Sequence, residues 1–259
     1  MTTDARSVRT VDLLGVFWRS FFLQASWSFD RLQSLGFSFA LIPVLRRLYP
    51  DPAERSARMV EHMEYFNTQP YFASFVLGAA ARREEDRANG RVPGEDAGDI
   101  KKALMAPLGA LGDSFFWGSF RPLAGVVAVA ALMAGIWWAP LLYLGMYNTV
   151  HIGLRAALVF AGYDLSGDAV ELMARYNFTH LARLCKVLSL SVIGCILSSV
   201  TVWDPEFMPF GPLPGVLLGA AGIAAATGMA ALLRAGASPL KLMLGLALLC
   251  LGLALGGII

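Results

Sequence analysis

The sequence predicts an all-α integral membrane protein, with re-entrant helical hairpins in its N-terminal half and transmembrane helices in its C-terminal half. Hydrophobic residues make up 56% of the 259 residues and charged residues only 15%, whereas roughly a quarter of a soluble domain is charged. The C-terminal half contains four apolar segments close to the ~20 residues that a bilayer requires. The apolar segments of the N-terminal half are shorter and interrupted.

Two of these short segments, Phe37 to Leu48 and Pro70 to Ala81, cannot cross a bilayer alone. Arginine pairs at 46–47 and 82–83 follow them, and such basic flanks are typical of cytoplasmic loops. We therefore expect region 10–120 to form hairpins that enter the membrane and return, with a cytoplasmic N-terminus and a polar cytoplasmic loop at 82–102. Because backbone can turn at membrane depth only where protein or a watered cavity surrounds it, the hairpins should pack within an assembly.

The longer apolar segments of region 121–259 are expected to cross or line the bilayer. They are Leu123 to Met146, Leu184 to Val202, Leu213 to Leu233 and Leu240 to Ile259. Basic residues, Arg155 among them, precede the second and fourth segments, while the connection 203–212 has no Lys or Arg. The positive-inside rule therefore predicts that the basic loops, with Arg155 in the first, are cytoplasmic, and that 203–212 and the C-terminus face outward. The whole chain, 1–259, is expected to form one membrane domain.

Composition and motifs also exclude several kinds of chemistry. The net charge of +2 gives no argument for nucleic-acid binding. No HExxH, GxSxG, phosphate loop or CxxC pair occurs, so we expect no catalytic residues of its own, no metal and no cofactor. The three cysteines lie in apolar stretches and are interpreted as packing residues. His62 lies on a charged helix and is expected to be exposed and structural.

The stretch YFNTQPYF at 65–72 interrupts the apolar sequence with four residues that favour turns and helix ends. Asn67 or Thr68 can cap a helix, and Pro70 is tolerated in a first turn because its missing N–H would be unpaired there anyway. One helix is therefore expected to end near Phe66 and another to begin near Pro70. The corner either only joins two helices, or lies at a hairpin tip where free N–H groups and amide side chains face a polar ligand.

Helical spacing extends from Val16 to Leu35. Apolar residues recur at steps of three and four on one face: Trp18, Phe22, Ala25, Phe29 and Leu32. A second stripe with similar spacing carries Ser20, Gln24, Ser28 and Arg31. This stripe is mostly uncharged and suits sugar hydroxyls or a partner helix, although a solvated face of an amphipathic surface helix is the alternative.

Asp113 and Arg121 are the only charges across an apolar run that follows the polar loop. Charges inside a membrane are costly and are candidates for function by default. Their spacing of eight residues places them roughly on one helix face, two turns apart. Gly109 and Gly112 before Asp113 suggest that a helix begins near Asp113, which leaves a helix cap and a snorkelling arginine as the alternative interpretation.

Several long blocks of the chain carry a family resemblance. They are QASWSFDRLQSLGFSFALIPVLRRLYP, EYFNTQPYFASFVLGAAARREEDRANG, IKKALMAPLGALGDSFFWGSFRP and GLRAALVFAGYDLSG. In this order they resemble the IID membrane subunit of the mannose/fructose/sorbose family of the bacterial sugar phosphotransferase system, over nearly the whole chain.

This resemblance implies a multi-pass protein of the bacterial inner membrane that translocates a hexose together with a IIC subunit. Cytoplasmic IIA and IIB subunits would carry the phosphoryl group, so this chain would carry none. IIC–IID pairs of this family group as trimers and work by an elevator-like motion. The implied partners are therefore IIC, IIA/IIB, the hexose and membrane lipid.

The resemblance also selects candidate site residues. The family's QGSWN block corresponds to residues 24–28, its FFNTQP block to 65–70, and its GDxxFWGTxRP block to 112–122. The candidates for the substrate pathway or the IIC interface are Gln24, Ser26, Trp27, Ser28, Asn67, Thr68, Gln69, Asp113, Ser114 and Arg121.

Three departures leave a second function open. Ala25 stands where the family block has Gly, and Ser28 where it has Asn. The connection at 203–212 is short, whereas some relatives carry a sizeable extracytoplasmic insertion there. The alternative is thus a structural or regulatory membrane partner that derives from this family and no longer transports.

Overall fold

The computed structural model describes residues 7–91, 97–166, 168, 171, 177–203, 224, 227–229 and 231–256. Within these ranges the regular secondary structure is helical, and the helices are joined by turns and irregular segments. Isolated backbone bridges join Leu32 to Ser28 and to Phe66. The all-α prediction is therefore confirmed. The helices are α1 Thr10–Ser20, α2 Ser34–Leu48, α3 Pro52–Glu61, α4 Ala73–Ala88, α5 Ala97–Gly112, a π-helix Asp113–Phe120, α6 Arg121–Met133, α7 Ala139–Asp164, α8 Phe178–Trp203 and α9 Pro239–Leu255.

The chain divides into two compact units, Met1–Ser189 and Leu190–Ile259. The first unit holds α1 to α7 and the start of α8, and it contains the buried core. The second unit holds the rest of α8 and all of α9. The predicted change from hairpins to spans at residue 121 falls inside an unbroken helical segment, Asp99–Met133, rather than at a unit boundary.

Two glycines bring α4 and α7 into backbone contact in the first unit. A Cβ added at Gly78 would lie 2.0 Å from the carbonyl oxygen of Val159, and one added at Gly162 would lie 2.0 Å from that of Phe75. Small residues at such a crossing let apolar helices pack closely where lipid offers no hydrophobic driving force between them. This crossing fixes α4, and with it the corner at 67–70, against α7.

A buried polar cluster joins the ends of α2, α3 and α4. The Glu84 carboxylate accepts a hydrogen bond from the Tyr49 hydroxyl at 2.7 Å and lies 3.2 Å from Nε2 of His62. Lys101 of α5 donates to the His62 carbonyl oxygen at 3.0 Å. Burial raises the pKa of the Glu84 carboxyl, but hydrogen bonds and charge from His62, Tyr49 and Arg87 outweigh it, so this pKa lies below its usual range.

The same cluster corrects one expectation from the sequence. His62 was predicted to be exposed, but its side chain is only 1% exposed. It lies against the buried Glu84 of α4, at the end of α3. The predicted loop at 82–102 is also mostly helical, since α4 continues to Ala88 and α5 begins at Ala97. Residues 92–96 of that loop lie outside the described residues.

The predicted helix from Val16 to Leu35 is wrong. Helix α1 ends at Ser20, turns and bends follow, and α2 begins at Ser34. Leu32 adopts a positive φ of 48°, which no continuous helix allows. The supposed apolar face is largely exposed, as Trp18 at 65% and Phe29 at 96% show. A repeating spacing cannot detect where tertiary contacts end a helix.

The predicted span from Leu123 to Met146 is also interrupted. Helix α6 ends at Met133, and Gly135 follows in the left-handed region at φ 83°. The Ile136 N–H donates to the carbonyl of Ala131 and the Gly135 N–H to that of Leu132, which is the Schellman pattern at a helix end. In the segment GIWWAP at 135–140, Gly135 follows the end of α6 and Pro140 lies in the first turn of α7. The continuous apolar sequence hid both signals.

The remaining spans are described to different extents. Leu184 to Val202 lies within α8, and the described part of Leu240 to Ile259 forms α9. Most of Leu213 to Leu233 lies outside the described residues. Asp99–Met133 and Phe178–Ile196 are long and apolar enough to cross a membrane. Only 22% and 11% of their apolar windows are buried, which leaves apolar surface for lipid or a partner.

Arg155 was predicted to lie in a cytoplasmic loop and is instead buried in α7, 4% exposed. Its guanidinium donates to the carbonyl oxygen and, at 3.0 Å, to the hydroxyl of Ser20, the last residue of α1. A cation suits this position because the final carbonyls of a helix carry partial negative charge. Arg155 therefore ties the end of α1 to α7.

Replacing Gly162 by alanine should destabilise the protein, because the new methyl group would overlap the Phe75 carbonyl oxygen. We expect a loss of about 1–3 kcal/mol in the free energy of unfolding, measured by thermal unfolding of the purified protein in detergent. Gly153→Ala is the matched control on the same helix, since a Cβ there meets no atom within 4 Å. Equal stability of the two variants would contradict the close crossing.

Candidate functional site

The corner at 67–70 is held by Gln33, the residue that precedes α2. The Gln33 side-chain amide donates to the Thr68 carbonyl oxygen at 2.9 Å and accepts from the Thr68 N–H at 3.2 Å. Gln33 and Thr68 are both buried, so this pair satisfies backbone groups that water does not reach. The Thr68 hydroxyl also donates to the Met105 carbonyl oxygen at 2.9 Å, which fastens the corner to α5.

Gln69 caps the start of α4. Its side-chain oxygen accepts from the N–H groups of Tyr71 at 2.8 Å and Phe72 at 3.0 Å. The prediction that Asn67 or Thr68 caps this helix is therefore wrong, because α4 begins later, at Ala73. The Gln69 Nε2 is buried and has no hydrogen-bond partner among the described residues.

A polar cavity of about 400 Å³ lies between the corner, α5 and the π-helix. The residues that line it contribute amides, a hydroxyl, a carboxylate and small side chains. They are Gln24, Gln33, Asn67, Thr68, Gln69, Pro70, Met105, Ala106, Gly109, Ala110, Asp113 and Trp117. Asp113 carries the only charge among these lining residues. The cavity can thus offer many uncharged hydrogen-bonding groups and one carboxylate acceptor.

The structure places half of the predicted site residues around this cavity: Gln24, Asn67, Thr68, Gln69 and Asp113. The other half lie elsewhere: Ser26, Trp27, Ser28, Ser114 and Arg121. The Ser28 hydroxyl accepts from the Arg31 N–H at 3.2 Å, within its own turn. The Arg121 guanidinium lies 5.3 Å from the centre of the Trp117 ring, so it reaches the cavity only through a lining residue.

Asp113 begins a π-helix rather than a new α-helix. Gly112 has helical φ and ψ of −67° and −40°, and α5 continues through it into Asp113–Phe120. Gly112 is required for close packing, since a Cβ there would lie 2.6 Å from Cβ of Gln69. Wider π-turns of this kind are rare and occur frequently at functional sites. The predicted cap at Asp113 is therefore wrong, while its place at a polar site stays a prediction.

An aromatic cluster joins the start of α4, the π-helix and α7 next to the cavity. The Tyr71 ring packs edge-on against Phe116 of the π-helix at 4.5 Å and stacks on His151 of α7 at 4.6 Å. The hydroxyls of Tyr71 and Tyr147 lie 3.0 Å apart. These contacts hold the π-helix and the start of α4 together, so the cavity walls belong to one packed unit.

No pattern in the sequence points directly to Gln33, Met105 or Trp117 as cavity residues. Gln33 lies 35 residues from Thr68, and it pairs with the Thr68 N–H and carbonyl, which are backbone groups that nearly any residue has. Met105 contributes its carbonyl oxygen and cavity surface, which a side-chain motif does not reveal. Trp117 belongs to the block that contains Asp113, and one further turn of the π-helix brings it to the same cavity.

Among the described residues, no group of three or more His, Cys, Asp or Glu side chains could hold a metal ion. The lining also lacks a histidine or cysteine that would pair with Asp113 as a nucleophile and base. The amides, hydroxyl and carboxylate of the lining can form hydrogen bonds with a polar molecule or a polar protein surface.

The chain is similar to sugar-transport components of known families. The family model for the PTS system mannose/fructose/sorbose family IID component matches residues 7–259. The mannose-specific EIID component of Escherichia coli K12 is 38% identical over 202 residues, which cover 77% of this chain and 71% of the relative. The sorbose-specific EIID component of Klebsiella pneumoniae is 31% identical over 207 residues, which cover 80% and 74%.

Two solved structures are similar over 97% of this chain and 98% of theirs. One is the mannose transporter ManYZ in complex with microcin E492, at 30% identity and a TM-score of 0.59. The other is described as the structure of a membrane protein, at 31% identity and a TM-score of 0.70.

Replacing Gln33 by methionine should loosen the corner while keeping the side-chain volume. The Thr68 N–H and carbonyl would lose their partners inside the protein, so we expect a loss of about 1–3 kcal/mol in unfolding free energy, measured by thermal denaturation. Gln24→Met is the control, since the Gln24 side chain is exposed and should change stability by under about 0.5 kcal/mol. A Gln33 variant as stable as this control would contradict the anchoring role.

Proposed function

Because the chain belongs to the IID components of the mannose/fructose/sorbose phosphotransferase family and is a IID subunit of a sugar permease, we propose that it moves a hexose across the inner membrane with a IIC subunit. The polar cavity at the 67–70 corner would be its contribution to the substrate pathway or to the IIC interface. The cavity walls in this chain carry the proposal.

The chemistry of the walls suits a neutral sugar. The amide groups of Gln24 and Asn67 can donate to and accept from hydroxyls, the Nε2 of Gln69 can donate, and Asp113 adds a strong acceptor. Sugar sites require many directed hydrogen bonds and little net charge, because the ligand itself is uncharged. The exposed Trp117 ring offers an apolar face at the same wall.

The unpaired amide nitrogen of Gln69 is the observation that most directly favours a ligand at this wall. Its oxygen is used by the start of α4, while its Nε2 is buried without a partner among the residues described. An unpaired buried donor costs about 1–3 kcal/mol. A sugar hydroxyl or a carbonyl of IIC would satisfy this donor, so binding would recover the cost.

The N-terminal helices would form re-entrant hairpins. Helix α2 has 15 residues, about 22 Å at the helical rise, which is shorter than the ~30 Å hydrocarbon core of a bilayer. Helix α4 has 16 residues, and its last two turns are charged. Tips that turn at membrane depth would be sheltered by α5, by the π-helix and by IIC, with the N-terminus and the charged end of α4 in the cytoplasm.

The rest of the permease would supply the remaining functions. IIA and IIB would phosphorylate the sugar as it arrives, so this chain would translocate without catalytic residues of its own. IIC–IID pairs would assemble as trimers, with several crossings by each chain. The connection at 203–212 would face outward.

Uptake of labelled mannose, fructose and sorbose by cells that express IIC, IIA and IIB tests this function. Adding this chain should confer accumulation of at least one phosphorylated sugar, and omitting it should abolish accumulation. Uptake that does not depend on this chain would instead support the non-transporting structural or regulatory partner.

Asn67→Ala and Gln69→Glu should each lower the kcat/KM of uptake about tenfold or more, because each removes a hydrogen-bond donor worth about 1.5 kcal/mol from the proposed pathway. The glutamate keeps a side-chain oxygen for the N–H groups of Tyr71 and Phe72. Thr149→Ala is the control, since Thr149 is exposed on α7 and lies outside the cavity lining. The amounts of the variants in the membrane and their association with IIC are measured in parallel. Wild-type uptake by both cavity variants would refute the assignment.

A further inference from the structure

A second, apolar cavity of about 390 Å³ lies on another face of the first unit, beside α2. Its lining is almost entirely hydrocarbon and thioether and comes from the 22–26 turn, α2 and the end of α3. The lining residues are Phe22, Ala25, Ser26, Leu35, Gly36, Ser38, Phe39, Ile42, Met59 and Met63. It shares no lining residue with the polar cavity. We refer to it as the α2 groove.

Two arginines border the α2 groove. The Arg19 guanidinium lies 4.8 Å from the centre of the Phe39 ring, and Arg31 donates to the Met63 carbonyl oxygen at 3.4 Å. Phe39 and Met63 both line the groove, so each guanidinium is placed at its edge. Among the described residues, neither arginine forms an ion pair with a carboxylate.

The surface around the groove has the composition of a membrane interface. Trp18 is 65% exposed, Trp27 is 56% exposed and Phe22, in the wall itself, is 57% exposed. Tryptophan is enriched where hydrocarbon meets lipid headgroups, because its ring is apolar and its N–H is polar. Arginine at the same depth can bind a headgroup phosphate.

We propose that the α2 groove binds one anionic phospholipid, with an acyl chain against the apolar walls and the phosphate on Arg19 and Arg31. The acyl chain of the lipid would cover the Phe22 and Phe39 rings. Met59 and Met63 can adapt to a flexible acyl chain because thioether side chains repack readily. Guanidinium groups form strong, charge-assisted hydrogen bonds with phosphate. Arg19 and Arg31 form no ion pair with a carboxylate among the described residues, so an anionic headgroup would neutralise them. An apolar partner helix would leave both charges unpaired, so the lipid is the favoured occupant.

Native mass spectrometry of the purified IIC–IID complex tests this site by titration with dioleoyl phosphatidylglycerol and dioleoyl phosphatidylcholine. Wild-type complex should bind phosphatidylglycerol more tightly than phosphatidylcholine. Arg19→Gln with Arg31→Gln should weaken phosphatidylglycerol binding about 30-fold, since each basic side chain near an anionic surface contributes about 1 kcal/mol. Arg46→Gln with Arg47→Gln is the matched control, because these exposed arginines on α2 lie outside the groove lining.

Ala25→Phe supplies an independent arm, because it fills the groove and leaves both arginines in place. It should weaken binding of phosphatidylglycerol without any change of charge. Inorganic phosphate should not compete at equal concentration, since the acyl chain supplies part of the affinity. Equal binding of the two lipids by wild type, unchanged binding by the double arginine variant, or crosslinking of a photoreactive group at position 25 to IIC instead of lipid would each overturn the proposal.

Discussion

The two hydrogen bonds between the Gln33 amide and the backbone of Thr68 are the contacts on which the candidate site depends. A chain that turns among apolar helices must pair its backbone groups without water, since each unpaired group costs free energy. The Gln33 side chain pairs both backbone groups of Thr68, and the Thr68 hydroxyl donates to a carbonyl oxygen of α5. The Gln69 side-chain oxygen accepts from two N–H groups at the start of α4. With the backbone satisfied in this way, the exposed side chain of Asn67 and the Nε2 of Gln69, which has no partner among the described residues, can face a ligand.

Close packing gives this corner a fixed position. The backbone contact of α4 with α7 at Gly78 and Gly162 holds α4 from one side, and Gly112 lets the π-helix approach Gln69 from the other. Arg155 adds a buried tie from α7 to the end of α1. A polar cavity within such a packed unit keeps its shape, which is the condition for selecting among sugars that differ only in the direction of a hydroxyl group. The proposed place of this cavity on the sugar pathway depends on that rigidity.

Sequence reasoning could predict the helical class and the turn at 65–72, because composition and turn-forming residues are local signals. It also selected Asn67, Gln69 and Asp113, which the structure places around one polar cavity, while their role in transport stays a prediction. It failed at 21–33, where apolar spacing continues but tertiary contacts end the helix, and at Gly112, whose small size serves packing rather than a helix start. Gln33 and the burial of His62 depend on partners 35 and 22 residues away, which spacing along one helix cannot reveal.

The 67–70 corner is proposed to lie on the sugar pathway of the assembled permease. The most direct test places a single cysteine at position 67, with the three native cysteines replaced by alanine, and measures its rate of alkylation by a maleimide in the IIC–IID complex. We expect a transported sugar to slow the reaction several-fold and a sugar that is not transported to leave it unchanged. Rapid alkylation from the cytoplasmic side at the same rate with and without the transported sugar would contradict the account.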